Sequence, residues 1–249
     1  MRRLLLTLRY DGTRYHGWQV QPNGVTVQET LQDAVERVTG FRSGVTGCSR
    51  TDAGVHAETF YCLTETASRI PEERFLKALN ANLPEDVAVT GCREVGEDFH
   101  PRYSASGKQY MYRIWNGPVR NPFWRGYALQ RERLLDAASM GQTAALFLGT
   151  HDFSAFCSAG STVEDRVRTV SVSRVERQGD LVTYTVEADG FLYNMVRIFV
   201  GTLLDVESGR LTREDVREAL LTGNREKAGA TAPACGLYLT RVFYPEKVV

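Results

Sequence analysis

The segment RLLLTLRYDGTRYHGWQVQPNGVTVQETLQDAVERVTG, residues 3–40, indicates the type of fold, because a strand pattern and a helix pattern follow each other within it. Residues 3–10 are rich in apolar side chains and end at the turn dipeptide Asp11-Gly12, which predicts a strand. Thr26-Val-Gln-Glu29 has the form of a capping box, and apolar residues then recur at helical spacing up to Gly40. A strand followed by an amphipathic helix predicts a sheet layer covered by helices.

The rest of the chain repeats this plan. Strands are predicted at residues 59–65, 87–95, 108–115, 168–177, 181–188 and 237–243. Helices are predicted after Pro71, at 134–148, at 193–206 and after a cap at 212–215. Gln178-Gly179-Asp180 is typical of a hairpin turn but is also compatible with a longer loop. We therefore expect an α+β fold with two domains, residues 1–105 and 106–249, each a sheet with helices on one face.

Composition places the chain among soluble globular proteins. Its 249 residues are 43% hydrophobic and 24% charged, and the longest apolar runs are far too short to cross a bilayer. The first residues lack the apolar core and cleavage site of a signal peptide. Five cysteines stand at wide, irregular intervals, with no CxxC pair. We expect reduced thiols, no disulfide framework, no metal site and a cytoplasmic location.

Charge is balanced overall, with 30 basic and 30 acidic residues, but it is unevenly distributed. Between residues 102 and 133 seven basic and seven aromatic side chains accompany a single acid, Glu132. Guanidinium groups bind phosphates and aromatic faces stack on unpaired bases, so this mixture suits an RNA-binding surface. A solvated strand face beside a packed core would produce the same pattern, and composition alone does not separate the two.

Residues 47–57, GCSRTDAGVHA, form the segment most suited to chemistry. They lie between a predicted helix and a predicted strand, where loops present functional groups on a rigid scaffold. Asp52 in such a loop is a candidate nucleophile or general base. The alternative is an Asx-type turn, in which Asp52 only bonds its own backbone, and the residues alone favour that simpler interpretation.

Blocks spread from residue 10 to 245 resemble, in order, the signature segments of the tRNA pseudouridine synthase A (TruA) family. Residues 50–57 (RTDAGVHA) are similar to the segment with the family's catalytic aspartate, and residues 10–19 (YDGTRYHGWQ) to its opening segment. The other blocks are 27–28 (VQ), 80–84 (NANLP), 99–104 (FHPRYS), 108–113 (KQYMYR), 151–153 (HDF), 191–197 (FLYNMVR) and 236–239 (GLYL). The departures are Ser49, where many members have glycine, and Tyr193-Asn194 at a variable site. Only Ser49 bears on the geometry of the loop.

The resemblance implies an enzyme that isomerises uridine to pseudouridine at positions 38, 39 and 40 in the anticodon arm of tRNAs. Nothing is added or lost in that reaction, so no cofactor is required. The sequence has neither a glycine-rich phosphate-binding loop nor a cluster of metal ligands. The implied fold is two ferredoxin-like halves whose strands form one continuous, mostly antiparallel sheet, with the active-site cleft between them. The implied partners are tRNA and a second copy of the chain in a homodimer, without a membrane or a small-molecule cofactor.

The resemblance also assigns roles to individual residues. Asp52 is implied as the catalytic nucleophile, and Arg197 as the cation that keeps its carboxylate ionised. Tyr110 is implied to lie beside the target base, Arg50 to help extract the nucleotide, and Leu237 to close the base pocket. We expect His56 to be structural, with hydrogen bonds inside the loop, and Tyr112 to serve packing. Weaker candidates for RNA contacts are Arg14, Tyr15, Trp18 and Gln19.

Two other functions are compatible with parts of the sequence. A non-catalytic tRNA-binding protein or chaperone would use the same basic and aromatic residues. A uridine C5 methyltransferase would need a methyl-donor pocket and a cysteine nucleophile, and the sequence has no glycine-rich donor loop. An aspartic hydrolase would need a second Asp-x-Gly to match residues 52–54, and Asp11-Gly12 and Asp189-Gly190 lack the intervening residue. None of these accounts for the ordered blocks along the whole chain.

Overall fold

The chain folds into mixed helices and strands, and the structure, a computed structural model, describes residues 1–245. The strands are β1 (Arg2–Tyr10), β2 (Val45–Gly47), β3 (His56–Thr66), β4 (Val87–Glu94), β5 (Gly107–Trp115), β6 (Leu129–Gln130), β7 (Gly149–Asp152), β8 (Val167–Gln178), β9 (Leu181–Ala188) and β10 (Leu237–Phe243). The helices are α1 (Val27–Thr39), α2 (Glu72–Asn82), α3 (Ala137–Ala144), α4 (Met195–Glu207) and α5 (Arg213–Thr222). Most strand pairs are antiparallel, so the predicted α+β class is confirmed.

The chain forms two compact units. The first contains residues 1–106 and the C-terminal segment that begins at Tyr238, and the second contains residues 107–237. The C-terminal segment belongs with the first unit because β10 pairs in parallel with β3, with Tyr238 opposite His56 and Leu239 opposite Ala57. The sequence shows that β10 follows the last helix. It does not show that β10 pairs with β3, which only the folded structure reveals.

In the first unit the strand order is β4-β1-β3-β10, and β2 also pairs with β3. The predicted helix α1 is confirmed: the Thr26 hydroxyl accepts from the Glu29 backbone N–H at 3.3 Å, and Gly40 ends the helix with a φ of 79°. Helix α2 is tied to β4 by Asn80, whose side chain accepts from the Val89 N–H and donates to the Val89 carbonyl, both at 2.8 Å. The NANLP block therefore contains a structural residue.

In the second unit the strand order is β5-β9-β8-β7, and β6 runs parallel to β5. Strands β8 and β9 form the predicted hairpin through the two residues Gly179 and Asp180, with Gly179 at a φ of 59°. Helix α3 is shorter than the predicted helix at 134–148. Its start is set by Asp136, whose carboxylate accepts from the Ser139 N–H at 2.9 Å, and a 3-10 turn follows its last residue.

Helix α4 lies in the core of the second unit and contacts the segment 228–232 at very short range. A Cβ atom on Gly201 would lie 1.7 Å from the Ala230 carbonyl oxygen, so no side chain fits between the two backbones. A hydrogen bond stabilises this contact: the Thr202 hydroxyl accepts from the Gly229 N–H at 2.8 Å. On another face, Phe199 packs against Phe147, Phe153 and Phe156. The helix therefore serves both as core and as a support for residues 228–232.

This backbone contact generates a stability prediction. We expect Gly201→Ala to lower the free energy of unfolding by about 1–3 kcal/mol or more, because the added methyl group overlaps the Ala230 carbonyl. Gly141 in α3 has open space around it, so Gly141→Ala should be neutral or stabilising by up to about 1 kcal/mol. Urea unfolding followed by circular dichroism measures both. Equal midpoints for Gly201→Ala and the wild type would contradict this close backbone contact.

Candidate active site

Asp52 lies in the loop between β2 and β3, and its neighbour Thr51 is anchored on two sides. The Tyr10 hydroxyl and the Thr51 hydroxyl are 2.8 Å apart and form a buried hydrogen bond. The Trp18 N–H donates to the Thr51 carbonyl at 3.1 Å. Asp52 itself is half-buried, and its carbonyl accepts from the Val55 N–H at 3.1 Å. The loop is short, and its backbone is held by the segment 10–18.

Two glycines allow this close approach. A Cβ atom on Gly17 would lie 2.4 Å from the Thr51 carbonyl oxygen and 3.1 Å from the Asp52 carbonyl carbon, and Gly17 has a φ of 82°. A Cβ atom on Gly12 would lie 2.0 Å from the Val55 carbonyl oxygen. Both glycines belong to the opening block, residues 10–19, so this block shapes the loop that carries Asp52.

His56 is buried behind the loop. Its Nδ1 accepts from the Gly12 N–H at 3.1 Å, and its ring stacks on Tyr238 with centroids 4.6 Å apart. Because Nδ1 accepts this bond, the neutral ring carries its proton on Nε2. The Asp11 carboxylate is 3.1 Å from the same Nδ1 and forms an ion pair with it only when the ring is protonated. These contacts agree with the structural role expected for His56.

Arg50 is exposed and lines a groove of the first unit with a volume of about 230 Å³. The lining residues are Trp18, Gln19, Gln28, Val45, Thr46, Gly47, Ser49, Arg50, His100, Arg102 and Tyr103. The two weaker candidates Arg14 and Tyr15 lie elsewhere in this unit and both bind the Asp86 carboxylate, at 2.8 and 2.7 Å. Arg14 and Tyr15 thus have structural partners, whereas Trp18 and Gln19 lie in the groove.

In the second unit, Tyr110 and Tyr112 lie two residues apart on β5. Tyr110 is buried and meets Phe191 edge-on, with ring centroids 5.0 Å apart. The Tyr112 hydroxyl donates to the Pro233 carbonyl at 2.7 Å, and burial raises the pKa of Tyr112 well above its usual range. Tyr112 is therefore a neutral structural donor, in agreement with the packing role expected for it.

Arg197 occupies the first turn of α4, and two hydrogen bonds fix its guanidinium group. Nε donates to the Ala232 carbonyl at 2.7 Å, and Nη1 donates to the Asn194 side-chain oxygen at 2.9 Å. Asn194 caps the helix with a φ of 60°, a conformation that asparagine tolerates better than most residues. No role was predicted for Asn194, because it stands at a variable site. Its i to i+3 spacing from Arg197 was the available signal.

Leu237 is buried at the start of β10, directly after a tight passage of the chain. A Cβ atom on Gly236 would lie 2.6 Å from the Arg113 carbonyl oxygen and 2.7 Å from the Tyr112 ring. Only glycine fits there, so the chain crosses β5 closely just before Leu237. Tyr112 thus sets the path of this segment from two sides, through its hydroxyl at Pro233 and its ring at Gly236.

The predicted site residues therefore fall into two groups. Asp52 and Arg50 belong to the first unit, and Tyr110, Arg197 and Leu237 to the second. The pairing of Asp52 with Arg197 stays a prediction. The basic and aromatic segment at 102–133 is not a single strand face, because it spans β5, a 3-10 turn and β6. Trp115 and Trp124 stack there, 6.2 Å apart, and line a cleft of about 620 Å³ with Arg120 and Arg125.

Among residues 1–245 no group of three or more histidine, cysteine, aspartate or glutamate side chains is arranged to hold a metal ion. In the same range no helix combines the length and the apolar character that crossing a membrane requires.

Comparisons with known proteins identify the family. The family model described as tRNA pseudouridine synthase matches residues 7–104 and 143–245. The tRNA pseudouridine synthase A proteins of Acetivibrio thermocellus and Brevibacillus brevis are 45% and 46% identical over 98% of this chain and 100% of their own lengths. A chain from a crystal structure of a Cbf5-Nop10-Gar1 complex aligns with 99% of this chain and 60% of its own length, at 14% identity and a TM-score of 0.37. On the family match and the full-length relatives, the chain belongs to the tRNA pseudouridine synthase A family, a family of isomerases that act on tRNA.

Proposed function

We propose that this protein converts uridine to pseudouridine at positions 38, 39 and 40 in the anticodon stem-loop of tRNAs, with Asp52 as its nucleophile and without a cofactor. The observation that supports this most is the loop that presents Asp52. Its backbone is held by Thr51, Gly12 and Gly17, while the carboxylate stands half-buried. A nucleophile must be held within a fraction of an ångström of its working position, and this loop has the required support.

The proposed reaction breaks one bond to the ribose and forms another. The N1–C1′ glycosidic bond breaks, the uracil turns, and a C5–C1′ bond forms. The C5 hydrogen leaves as a proton, and N1 gains one, so atoms and electrons balance without an oxidant, a reductant or a second substrate. Addition of the carboxylate to C6, its attack on C1′, and assisted elimination to a glycal all begin with the ionised Asp52 side chain.

The other predicted residues have roles around the same uridine. Arg197 keeps the Asp52 carboxylate ionised by Coulomb attraction, and its fixed guanidinium plane supports that role. Tyr110 lies against the base, where its ring stacks and its hydroxyl reaches a polar atom or carries a proton. Arg50 helps to extract the nucleotide, since a base must leave its stack before chemistry can reach it. Leu237 closes the apolar side of the base pocket.

The proposed partners are the anticodon arm of tRNA and a second copy of the chain in a homodimer. Action on tRNA follows from the family of the chain. The basic and aromatic cleft at Trp115 and Trp124, with Arg120 and Arg125 in its lining, adds a surface whose chemistry suits unpaired nucleotides. Recognition would then depend on the shape of the folded tRNA as well as on the bases near the target.

Substitution of Asp52 tests the chemical step. Asp52→Asn should abolish tritium release from [5-³H]uridine-labelled tRNA, because the amide is not a nucleophile, while tRNA binding stays within a few-fold of wild type. Asp98→Asn removes an exposed carboxylate of the same unit outside the loop and should leave the rate unchanged. The assay contains no methyl donor, so C5 methylation does not contribute to the signal.

The outcomes separate the alternatives. Release by the wild type alone supports a cofactor-free synthase that depends on Asp52. Equal release by Asp52→Asn keeps the enzyme class but removes Asp52 from its role. Binding without release from any tRNA, by either protein, leaves the non-catalytic RNA-binding protein as the better explanation. Sequencing of the product after carbodiimide treatment then shows whether the modified positions are 38, 39 and 40.

Substitution of Tyr110 tests the roles of its ring and its hydroxyl. Tyr110→Phe keeps the ring and its edge contact with Phe191 but loses the hydroxyl. We expect kcat to fall roughly 100-fold with KM nearly unchanged. A decrease of this size is typical when a proton-transfer group is lost. Tyr110→Ala should also raise KM, because the stacking surface is gone. Tyr112→Phe is the matched control for kcat at pH 7, although it should unfold more easily for want of the bond to Pro233. Full activity of Tyr110→Phe would show that the hydroxyl has no part in the reaction.

A further inference from the structure

We propose that the groove beside Arg50 binds a nucleotide adjacent to the target uridine, with its base stacked on Tyr103 and its phosphate held by Arg50 and Arg102. This inference rests on the proposed function, because it names a second binding position for the same tRNA substrate. In the sequence Tyr103 is one of the seven aromatic residues between 102 and 133, and it lies in the FHPRYS block at residues 99–104. The lining of the groove, its rigidity and its place next to the Asp52 loop support the proposal.

The lining has the chemistry of a nucleotide site. It contains two exposed arginines, Arg50 and Arg102, and none of its residues is an aspartate or a glutamate. Tyr103 has 77% of its surface exposed, although its ring is large and apolar. Gln19, Thr46 and Ser49 add neutral hydrogen-bonding groups. Guanidinium groups and an exposed ring in an acid-free groove match one phosphate and one base, whereas an acidic peptide would leave the ring without a partner.

Tyr103 is held in place although it is exposed. Its ring packs on the His100 imidazole with centroids 4.4 Å apart and the ring planes tilted by 32°, and the Arg102 guanidinium carbon lies 5.8 Å from its centroid. His100 is itself fixed, because its Nδ1 accepts from the backbone N–H groups of Arg102 and Tyr103 at 3.1 and 3.2 Å. Burial lowers the pKa of His100, and Arg102 and Arg3 lower it further, so the ring under Tyr103 is neutral near pH 7. A base that stacks on Tyr103 therefore meets a surface that is already ordered.

Other residues of the groove lining are also fixed by partners. The Gln28 side-chain oxygen accepts from the Val20 N–H at 2.9 Å, and its amide donates to the Val45 carbonyl at 2.7 Å. Trp18 is buried and packs on Phe60 with ring centroids 4.2 Å apart. A Cβ atom on Gly47 would lie 2.6 Å from the Trp18 ring, so glycine is needed where the lining meets β2. The groove is thus a preformed feature of the first unit.

The groove adjoins the loop that carries the nucleophile. Ser49 and Arg50 line it, and Arg50 precedes Asp52 by two residues, so their Cα atoms are at most about 7 Å apart. A uridine that reaches Asp52 is covalently joined to its neighbours, and this connection brings a neighbouring nucleotide within reach of the groove. Stacking that neighbour on Tyr103 compensates for the stacking lost when the target uridine is extracted. Tyr103 is therefore a positioning and specificity residue, and it acts on the strand that flanks the reacting base.

The test combines a protein change with a substrate change. Tyr103→Ala should weaken binding of full-length tRNA, and raise KM for tritium release, by roughly tenfold, as expected for one base stacked on an aromatic ring. Tyr103→Phe keeps the ring and should restore wild-type binding. Phe41→Ala removes an aromatic side chain of the same unit that is 75% exposed and lies outside the groove, so it should change neither quantity. Because Tyr103 is an exposed residue, its substitution should leave the urea midpoint unchanged.

Abasic tRNAs identify the stacked nucleotide. Three full-length tRNAs are assembled by ligation with uridine at position 39: one intact, one abasic at 38 and one abasic at 40. If Tyr103 stacks on a neighbouring base, one abasic tRNA should bind the wild type roughly tenfold more weakly, and Tyr103→Ala should cause no further loss on that tRNA. Equal losses from Tyr103→Ala on all three tRNAs would overturn the stacking proposal, and so would no loss on the intact tRNA.

The arginines give an independent readout. Arg102→Ala should lower affinity for the intact tRNA and reduce the slope of log affinity against log salt by about one unit, because one phosphate contact is lost. Arg74→Ala, at an exposed position on α2, is the control and should leave the slope unchanged. An unchanged slope for Arg102→Ala would show that Arg102 holds no phosphate. Failure of the proposed function is seen separately, as an absence of tritium release by the wild type, because the binding cycles do not depend on turnover.

Discussion

The site in the first unit depends on direct contact between two stretches of backbone, residues 10–18 and the loop 51–55. Loops are usually more mobile than the strands they connect, and a nucleophile on a mobile loop is poorly placed for attack. Here Gly12 and Gly17 bring main chain against main chain, at distances that exclude any side chain. The hydrogen bonds of Thr51 to Tyr10 and Trp18 then fix the register of the contact. The backbone position of Asp52 is therefore held as firmly as that of a strand residue, although Asp52 lies in a loop.

The second unit holds Arg197 by a similar device. Gly201 and Gly229 let the segment 228–232 lie directly on α4, and Thr202 bonds to that segment. The Ala232 carbonyl in this segment accepts a hydrogen bond from Nε of Arg197. The side-chain oxygen of Asn194, at the start of the helix, accepts one from Nη1. Two bonds to different nitrogens of a planar group set its orientation, so they determine where its remaining donors point. The guanidinium group of Arg197 thus has a defined orientation, although its helix is otherwise apolar.

Helix caps and turn residues in the sequence predicted the elements whose ends depend on such local hydrogen bonds and turns. The capping box at 212–215 forms with both of its hydrogen bonds, and the Gly179-Asp180 turn closes its hairpin with the φ that glycine allows. Strands β2, β6 and β7 were not predicted, because two to four residues are too few to show a period. The partner of β10 and the groove at Tyr103 were also missed. Both depend on residues that are far apart in sequence, and only folding brings them together.

The family resemblance predicted more of the site than the residues alone, but it did not separate function from structure. In the HDF block, Asp152 accepts from the backbone and hydroxyl of Ser154, and Phe153 is fully buried in the aromatic core. The side chain of Gln28 likewise forms hydrogen bonds with backbone atoms of Val20 and Val45. These residues support the scaffold, whereas Arg50 and Tyr103 are exposed in the groove, and the Tyr103 ring is also held against His100. Burial and hydrogen-bond partners make this distinction, and a shared motif does not.

The absence of net charge bears on how such a scaffold recognises RNA. With 30 basic and 30 acidic residues, the chain as a whole exerts little long-range attraction on a polyanion. Part of the acidic charge is neutralised within the fold: on α5, bonds from Thr212 and Lys227 keep the pKa of Asp215 well below its usual range, and Lys227 also pairs with Glu218. Attraction then has to come from places where basic groups gather without acids, such as the groove of Arg50 and Arg102. A neutral protein with such local sites gains affinity only where the RNA fits them, so charge contributes to specificity as well as to binding.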